Sequence, residues 1–457
     1  MYVEKRKTKE REDVNFMSLA IVALGVVALL VMLVYLKFDA FISLILVSIG
    51  VGLLEGMDIS KVTVSVYNGI GGQLKSLILV IAFGAMLGRL LSDSGAAQRI
   101  STTMIKTFGM NNLQWAMMLT AFIIGVTMFF EAALIVMIPI IYTVVIDTKK
   151  SLMYVGLPAV IALSITHGFL PPHPGPAAVC DAYVALMGKT LLYGLVLALP
   201  IAAFITWLFK RLPYVERINC TIPEGMTTPK IFTDDEMPSF GVSILCALLP
   251  IFLMAIATVF DLMFPKNLPF MKVINFFGGA PIALLCSVLL GSYLLGIRRG
   301  HTTEAVVKSL KDSVKSVAMI ILIIAAGGAF KQVIVDSGVA TVVKDTMQGL
   351  NVSPLIMAWS IAAALRLSVG SATVSVMTAS GLIAPIIPDC GVSVELMVLA
   401  TACGSAWTSH VNDAGFWLYK EYYNLSVIDA IKTRSVYTTI LGLMGLGGCM
   451  LLNALGF

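Results

Sequence analysis

Uncharged apolar stretches of about 20 residues, the length that a helix needs to cross a bilayer, recur along this chain. A soluble domain carries roughly 25% charged residues, whereas 12% of these 457 residues are charged and 58% are hydrophobic. The sequence therefore predicts an all-α polytopic membrane protein. The predicted crossing segments lie near residues 17–36, 39–54, 74–91, 152–187, 190–209, 241–262, 273–297, 316–335, 393–425 and 436–456.

The sequence lacks the motifs of several classes of segment and site. The first apolar run has no small-residue cleavage site after it, so we interpret it as a retained helix rather than a signal peptide. No basic run with interleaved aromatic residues indicates nucleic-acid binding, and the seven cysteines stand singly, without metal-ligand spacing. No P-loop, HExxH motif or Rossmann fingerprint is present. We expect membrane lipid around the chain, and no metal, cofactor or nucleic acid.

Two long apolar regions, residues 113–146 and 352–388, are interrupted near their middles by TMFFEA and RLSVGSAT. Each half has about 15 residues, which is short for a hydrocarbon layer of about 30 Å at 1.5 Å per residue. We predict two re-entrant hairpins, with two thin spanning helices at each place as the alternative.

The chain also repeats itself. ILVIAFGAMLGRLLSDSG (residues 78–95) and ILIIAAGGAFKQVIVDSG (residues 321–338) are identical at eight of 18 positions. After each copy come an interrupted apolar pair and then a long segment broken by polar residues, THGFLPPHPGP in the first half and WTSHVNDAGF in the second. Five predicted crossings separate the two copies, so the second is inverted in the bilayer. Inverted repeats with broken helices are typical of secondary transporters.

This pattern predicts the organisation of the whole chain. If the basic loop at 298–315 is cytoplasmic, Lys and Arg concentrate on that side of the membrane, but the basic tail then lies outside, against the same rule. The predicted parts are a polar tail (1–16), leading transmembrane helices (17–73), a first repeat (74–209) with hairpin 113–146 and broken helix 152–187, a polar loop (210–240), connecting helices with the basic loop (241–315), and a second, inverted repeat (316–457) with hairpin 352–388 and broken helix 393–425.

The breaks are the candidate functional site. Prolines in THGFLPPHPGP forbid a regular helix, and unwound backbone at membrane depth is tolerated only where it lines an enclosed polar cavity. Ionisable residues there are costly and usually functional. We predict substrate contacts from Arg366, Ser371, Thr373, Asn412, Thr127, His173, His167 and Ser368, and proton coupling through Glu131, Asp413 or His410.

The residue types suggest the chemistry. The planar guanidinium of Arg366 matches a carboxylate, although a structural ion pair with Glu131 or Asp413 is the alternative. Hydroxyl and amide side chains can bind substrate hydroxyl groups, or they can simply pack helices together. Buried carboxylates and histidines can carry a proton near neutral pH, although a lone buried histidine is often only structural.

Several long motifs resemble the gluconate permease family of bacterial proton symporters: THGFLPPHPGP, MFFEAA, GGAFKQVIVDSG, LRLSVGSATVSV and SHVNDAGFWLYKEYYNL. The resemblance runs from about residue 17 to the C-terminus. It implies a location in the bacterial inner membrane, hairpins and broken helices, and a homodimer with an elevator-like movement. Relatives in that family carry gluconate, other sugar acids such as idonate, or D-serine. The D-serine branch has histidine at the position of Arg366 and lacks HVND, so Arg366, His410 and Asn412 favour a sugar acid.

We therefore expect a secondary transporter, not an enzyme, that imports gluconate together with a proton. The nearest alternative is a permease of the same family for glycerate, a ketodeoxy sugar acid, idonate or D-serine. A channel, and an intramembrane enzyme with a Ser/His/Asp set, are more distant alternatives.

Overall fold

The computed structural model describes residues 17–29, 31–223, 231–265, 268–339, 342, 352–410 and 413–457. Regular secondary structure within these ranges is helical throughout. The predicted polar tail, residues 1–16, lies outside them. The helices are α1 (residues 17–29), α2 (Ala40–Leu54), α3 (Ile59–Asp93), α4 (Ala96–Phe108), α5 (Leu113–Thr127), α6 (Phe130–Thr148), α7 (Leu152–Phe169), α8 (Pro174–Tyr183), α9 (Met187–Lys210), α10 (Pro213–Glu216), α11 (Phe240–Met263), α12 (Pro269–Gly278), α13 (Ala280–Gly291), α14 (Thr303–Ser316), α15 (Ala318–Asp336), α16 (Pro354–Val369), α17 (Ala372–Ile383), α18 (Val394–Ala406), α19 (Ala414–Tyr422), α20 (Val427–Ala430) and α21 (Val436–Ala454).

These helices confirm the predicted all-α membrane class. Among the described residues, eight helical spans are long and apolar enough to cross a membrane, or nine if the two arms of α3 form one span. Those arms, Ile59–Lys75 and Leu77–Asp93, meet at an angle of 44°. Hydrocarbon offers the backbone no water, so a spanning segment must pair its own N–H and C=O groups as a helix.

Each of the four predicted interruptions contains a gap between helices. The gaps are residues 128–129 between α5 and α6, 170–173 between α7 and α8, 370–371 between α16 and α17, and, among the described residues between α18 and α19, 407–410 and 413. The apolar runs therefore end where the sequence predicts, and the polar groups of the breaks lie between helix ends.

The predicted lengths of the hairpin arms are only partly right. Helices α5 and α16 have 15 and 16 residues, but α6 has 19. At 1.5 Å per residue α6 is about 28 Å long, enough for a span. Re-entry of the arms, the inverted orientation of the repeats and the boundaries of the parts remain predictions.

The helices that carry the two copies of the repeated motif, α3 and α15, pack against each other through glycine. A Cβ atom on Gly69 of α3 would lie 2.4 Å from the carbonyl oxygen of Gly328 in α15. A Cβ atom on Gly328 would lie 2.5 Å from the carbonyl oxygen of Gly69. Only glycine permits this approach of two backbones, which is a common way for helices to pack in membranes.

The two broken helices meet at their breaks. A Cβ atom on Gly168, one residue before the end of α7, would lie 2.9 Å from the Cβ atom of Ala406, the last residue of α18. The chain thus brings the break of the first half against the break of the second, although the two breaks are more than 200 residues apart in sequence.

Candidate functional site

Where the breaks meet, the protein forms a cavity of about 250 Å³. Its walls come from α6, α7, the α16–α17 gap, the α18–α19 gap and the approach to α21. Pockets for drug-sized ligands have roughly 300–1,000 Å³, so this cavity suits a smaller solute. Six of the predicted site residues line it: Glu131, His167, Arg366, Ser371, Thr373 and Asp413.

The other predicted site residues lie elsewhere. Thr127 is buried and donates its hydroxyl to the carbonyl oxygen of Ile124 in its own helix, at 3.1 Å. His173 and His410 lie at the breaks, outside the set of residues that line the cavity. Ser368 belongs to the last turn of α16, and Asn412 lies outside the described residues.

Arg366 forms an ion pair with Asp413, the partner that the sequence left open. Its Nη2 atom lies 2.5 Å from Asp413 Oδ2, and its Nη1 atom donates to the carbonyl oxygen of Gly370. Gly370 ends α16 with φ +79°, a conformation that favours glycine. The guanidinium thus contacts both the α16–α17 gap and the α18–α19 gap. Arg366 is 4% exposed, so it faces protein rather than lipid.

A second guanidinium, that of Arg434, lines the same cavity. Its Nη2 atom lies 3.5 Å from Asp413 Oδ2, its Nε donates to Ser409 Oγ at 2.8 Å, and its Nη1 donates to the Tyr437 hydroxyl at 3.0 Å. Its Cζ lies 4.5 Å from the centre of the Phe130 ring, a cation–π contact. These contacts join α6, the α18–α19 gap and α21 around one cation.

Sequence reasoning missed Arg434. In IKTRS (Ile431–Ser435), Lys432 and Arg434 resemble the basic flank of an apolar helix, and both fall between the predicted crossing segments 393–425 and 436–456. The structure separates them, since the Lys432 side chain is exposed whereas Arg434 is 5% exposed. The segment is a π-helical turn, and π-turns are often found at functional sites, but the sequence does not mark this one.

Asp413 is the shared counter-ion of both arginines. It also accepts hydrogen bonds from the Gly415 amide at 2.9 Å and from Ser409 Oγ. The Gly415 bond makes Asp413 the N-cap of α19, which is a preferred role for aspartate. The Asp413 carboxylate is therefore contacted by four donors: the two guanidinium groups, the Gly415 amide and the Ser409 hydroxyl.

The N-termini of three helices, which carry a partial positive charge, also lie at the cavity wall. Helices α6, α17 and α19 begin at its wall, where their first N–H groups have no partner within the helix. Ser371 caps α17 by accepting from the Val374 amide at 3.3 Å, which leaves the earlier amides of α17 for a ligand. Helix N-termini of this kind bind anions. Glu131, in the first turn of α6, adds a negative charge at the same wall.

His167 lines the cavity, and His173 lies next to His167 but outside the cavity lining. Their ring centroids are 5.3 Å apart, and the buried His167 Nδ1 has no hydrogen-bond partner among the described residues. His173, 3% exposed, bonds through Nε2 to the carbonyl oxygen of Gly125, at 2.7 Å. His410 makes the corresponding bond in the second half, from Nε2 to the carbonyl oxygen of Leu367, at 3.0 Å. Both histidines therefore form a hydrogen bond with a backbone carbonyl group in the last turn of a helix, α5 for His173 and α16 for His410.

Three larger cavities in the described part of the chain lie away from the breaks. One of about 370 Å³ is bounded by α4, α6 and Phe232, one of about 540 Å³ by α9, α11 and α12, and an apolar one of about 380 Å³ by α1, α16 and α17. None of the three contains the arginines or the carboxylates of the breaks. The smaller cavity is therefore the candidate site, because it holds the buried charges.

The sequence matches a family profile described as GntP family permease over residues 17–455. The chain is 47% identical over 437 residues to a high-affinity gluconate transporter of Escherichia coli K12, covering 96% of this chain and 99% of the relative. It is 45% identical to an L-idonate transporter of the same organism and 44% identical to a gluconate permease of Bacillus subtilis 168, each with 96% and 99% coverage.

Solved structures agree at the level of fold. The crystal structure of the YdaH transporter of Alcanivorax borkumensis matches with a TM-score of 0.64 at 14% identity, covering 91% of this chain and 98% of that one. The MtrF efflux pump of Neisseria gonorrhoeae matches with a TM-score of 0.60 at 13% identity, over 85% and 83%. At such low identity the likeness concerns the fold alone.

Proposed function

The chain belongs to the GntP family of permeases, multi-pass transporters of the bacterial inner membrane, and from this premise we propose that it imports gluconate by proton symport. The observation that carries the proposal is the cavity with two buried guanidinium groups, Arg366 and Arg434, at the breaks of a membrane-spanning fold. An ionisable side chain inside a membrane-spanning fold costs free energy, so those that occur there usually have a function. Relatives named for gluconate and for idonate supply the substrate class.

The substrate carboxylate binds between Arg366 and the N-terminus of α17. Arg366 uses two of its N–H groups on Gly370 and Asp413, and a guanidinium has five. Arg366 and the first two residues of α17, Ala372 and Thr373, line the same cavity. A carboxylate held there receives charge-assisted hydrogen bonds from a rigid fork and from a helix end.

The hydroxyl groups of the sugar acid bind the polar side chains around that point. Ser371 and Thr373 line the cavity, and each hydroxyl can both donate and accept. His167 of α7 also lines the cavity, and an imidazole ring can donate or accept a further hydrogen bond. Asn412 keeps its predicted role as a hydroxyl ligand.

Alternating access is the remaining part of the proposal. We place the two repeats in opposite orientations, with the hairpins re-entrant and the cavity moving between the membrane faces, in a homodimer. The energy comes from the proton gradient, and coupling requires that the proton and the substrate each favour the other's binding.

Uptake into proteoliposomes tests this function. The purified protein should accumulate labelled gluconate when the lumen is alkaline and should lose that accumulation when a protonophore is added. Unlabelled gluconate, idonate, glycerate, a ketodeoxy sugar acid and D-serine are then added as competitors. Strongest competition by idonate would reassign the substrate within the sugar acids, and competition by D-serine alone would exclude a sugar acid.

A further inference from the structure

Two positive and two negative side chains face the cavity. Arg366 and Arg434 are the cations, and Glu131 and Asp413 are the anions. His167 on α7 is the other titratable side chain among the described residues that line it. With both carboxylates ionised and His167 neutral, the empty cavity has no net charge.

Net charge decides which states can cross a membrane. A cavity that closes around an uncompensated charge must desolvate it in a medium of low dielectric constant, whereas a balanced set of charges avoids most of that penalty. A monocarboxylate alone would make this cavity negative, and a proton alone would make it positive. The empty cavity is neutral, and so is the cavity that holds one proton and one monocarboxylate.

Asp413 is poorly placed to carry that proton. All four of its contacts are donors: Arg366 Nη2 at 2.5 Å, Arg434 Nη2 at 3.5 Å, the Gly415 amide at 2.9 Å, and Ser409 Oγ. A proton on this carboxyl group would leave two buried guanidinium groups without their shared counter-ion, and among these contacts only the Ser409 hydroxyl could accept it.

Glu131 has the opposite surroundings. It lines the cavity and is exposed, and no described residue donates a hydrogen bond to it. The groups that face it across the cavity are His167 on α7, Arg366 on α16, Asp413 before α19 and Arg434 before α21. A proton on Glu131 therefore breaks no hydrogen bond made by these described groups.

We propose that Glu131 carries the coupling proton, that Asp413 stays ionised between the two arginines, and that one proton accompanies one monocarboxylate, so transport moves no net charge. This inference rests on the proposed function and adds the stoichiometry, the voltage dependence and the identity of the proton carrier. Coupling follows from charge balance, because the proton makes the cavity positive before the anion enters and only the neutral states reorient.

The test is the voltage dependence of gluconate uptake in proteoliposomes that contain the full chain. Valinomycin and a potassium gradient impose a potential at equal pH, and a separate series imposes a pH difference at zero potential. We expect about tenfold accumulation per pH unit and no accumulation driven by the potential. Transport of one net charge would instead give about 50-fold accumulation at 100 mV, and that result overturns the inference.

Glu131→Gln tests the proton carrier. This substitution fixes the empty cavity at one positive charge, so the loaded state remains neutral and mobile while the empty state does not return. We expect counterflow exchange of gluconate to persist and to become independent of pH, with net accumulation lost. Glu131→Asp should restore part of the accumulation. Glu304→Gln is the matched control, since Glu304 is also an exposed residue in the first turn of a helix, α14, but is not among the residues that line the cavity.

The outcomes separate the two proposals. Absence of wild-type transport for every sugar acid defeats the proposed function. Wild-type uptake that responds to potential defeats only the charge balance. Accumulation by Glu131→Gln against a gradient shows that another group carries the proton, and Asp413→Asn with intact exchange and lost accumulation would assign it to Asp413.

Discussion

His173 Nε2 lies 2.7 Å from the carbonyl oxygen of Gly125, and so connects the α7–α8 gap to the last turn of α5. His410 and Leu367 repeat the arrangement in the second half at 3.0 Å. Gly125 and Leu367 are each two residues before the last residue of the helix that enters the gap, α5 and α16 respectively. Carbonyl groups in the last turn of a helix lack partners within it, and in each half a histidine from the break supplies one.

The first prediction concerns this contact. His173→Ala should lower the thermal stability of the purified protein and slow uptake, because a buried carbonyl group that loses its partner costs about 1–3 kcal/mol. His173→Gln keeps a donor and should recover part of both. The measurements are unfolding in detergent and the initial rate of uptake. Equal defects in the two variants would show that the ring itself, and not the donated bond, matters.

The second prediction concerns Arg366. Arg366→Gln should raise the apparent KM for gluconate at least tenfold, because a charge-assisted hydrogen bond is worth about 1.5–3 kcal/mol. Arg366→Lys keeps the charge without the planar fork and should fall between Arg366→Gln and the wild type. Saturation curves for uptake measure KM. An unchanged KM in both variants would remove Arg366 from the carboxylate site.

The third prediction separates two basic residues that look alike in the sequence. Arg434→Gln should impair transport as strongly as Arg366→Gln, since it leaves Asp413 with one guanidinium and removes the contact with Phe130. Lys432→Gln is the control, because the Lys432 side chain is exposed and an exposed charge contributes little to stability. Similar uptake by the two variants would contradict the placement of Arg434 in the cavity.

The fourth prediction concerns the crossing of α3 and α15. Gly69→Ala places a methyl group 2.4 Å from the carbonyl oxygen of Gly328, so it should destabilise the protein by about 1–3 kcal/mol. Gly72→Ala is the control in the same helix, where a Cβ atom meets nothing within 4 Å, and it should be neutral or slightly stabilising. Thermal unfolding and yield in membranes measure the difference. An equal effect of the two substitutions would contradict close packing at Gly69.

Several predictions from the sequence depend on chemistry that acts locally. Hydrocarbon forces each apolar run into a helix, and prolines and polar clusters end it, so the four gaps lie where the sequence places them. The same reasoning does not predict the length of α6, the second arm of the first predicted hairpin. The break limits where α6 begins, but nothing in the local pattern limits its length to 15 residues, and it has 19.

The sequence by itself determined the helical membrane class, the four gaps and six of the residues that line the cavity, because apolar length and helix-breaking residues act within a few turns of the chain. Only the tertiary structure decided how the charges are shared. Arg434 and Lys432 have the same local context, yet one is buried beside Asp413 and the other is exposed. Glu131 and Asp413 are both carboxylates at breaks, yet only Asp413 lies between two guanidinium groups. Such differences arise from contacts between segments far apart in the chain, where the electrostatic energy depends on distance and burial rather than on neighbours in sequence.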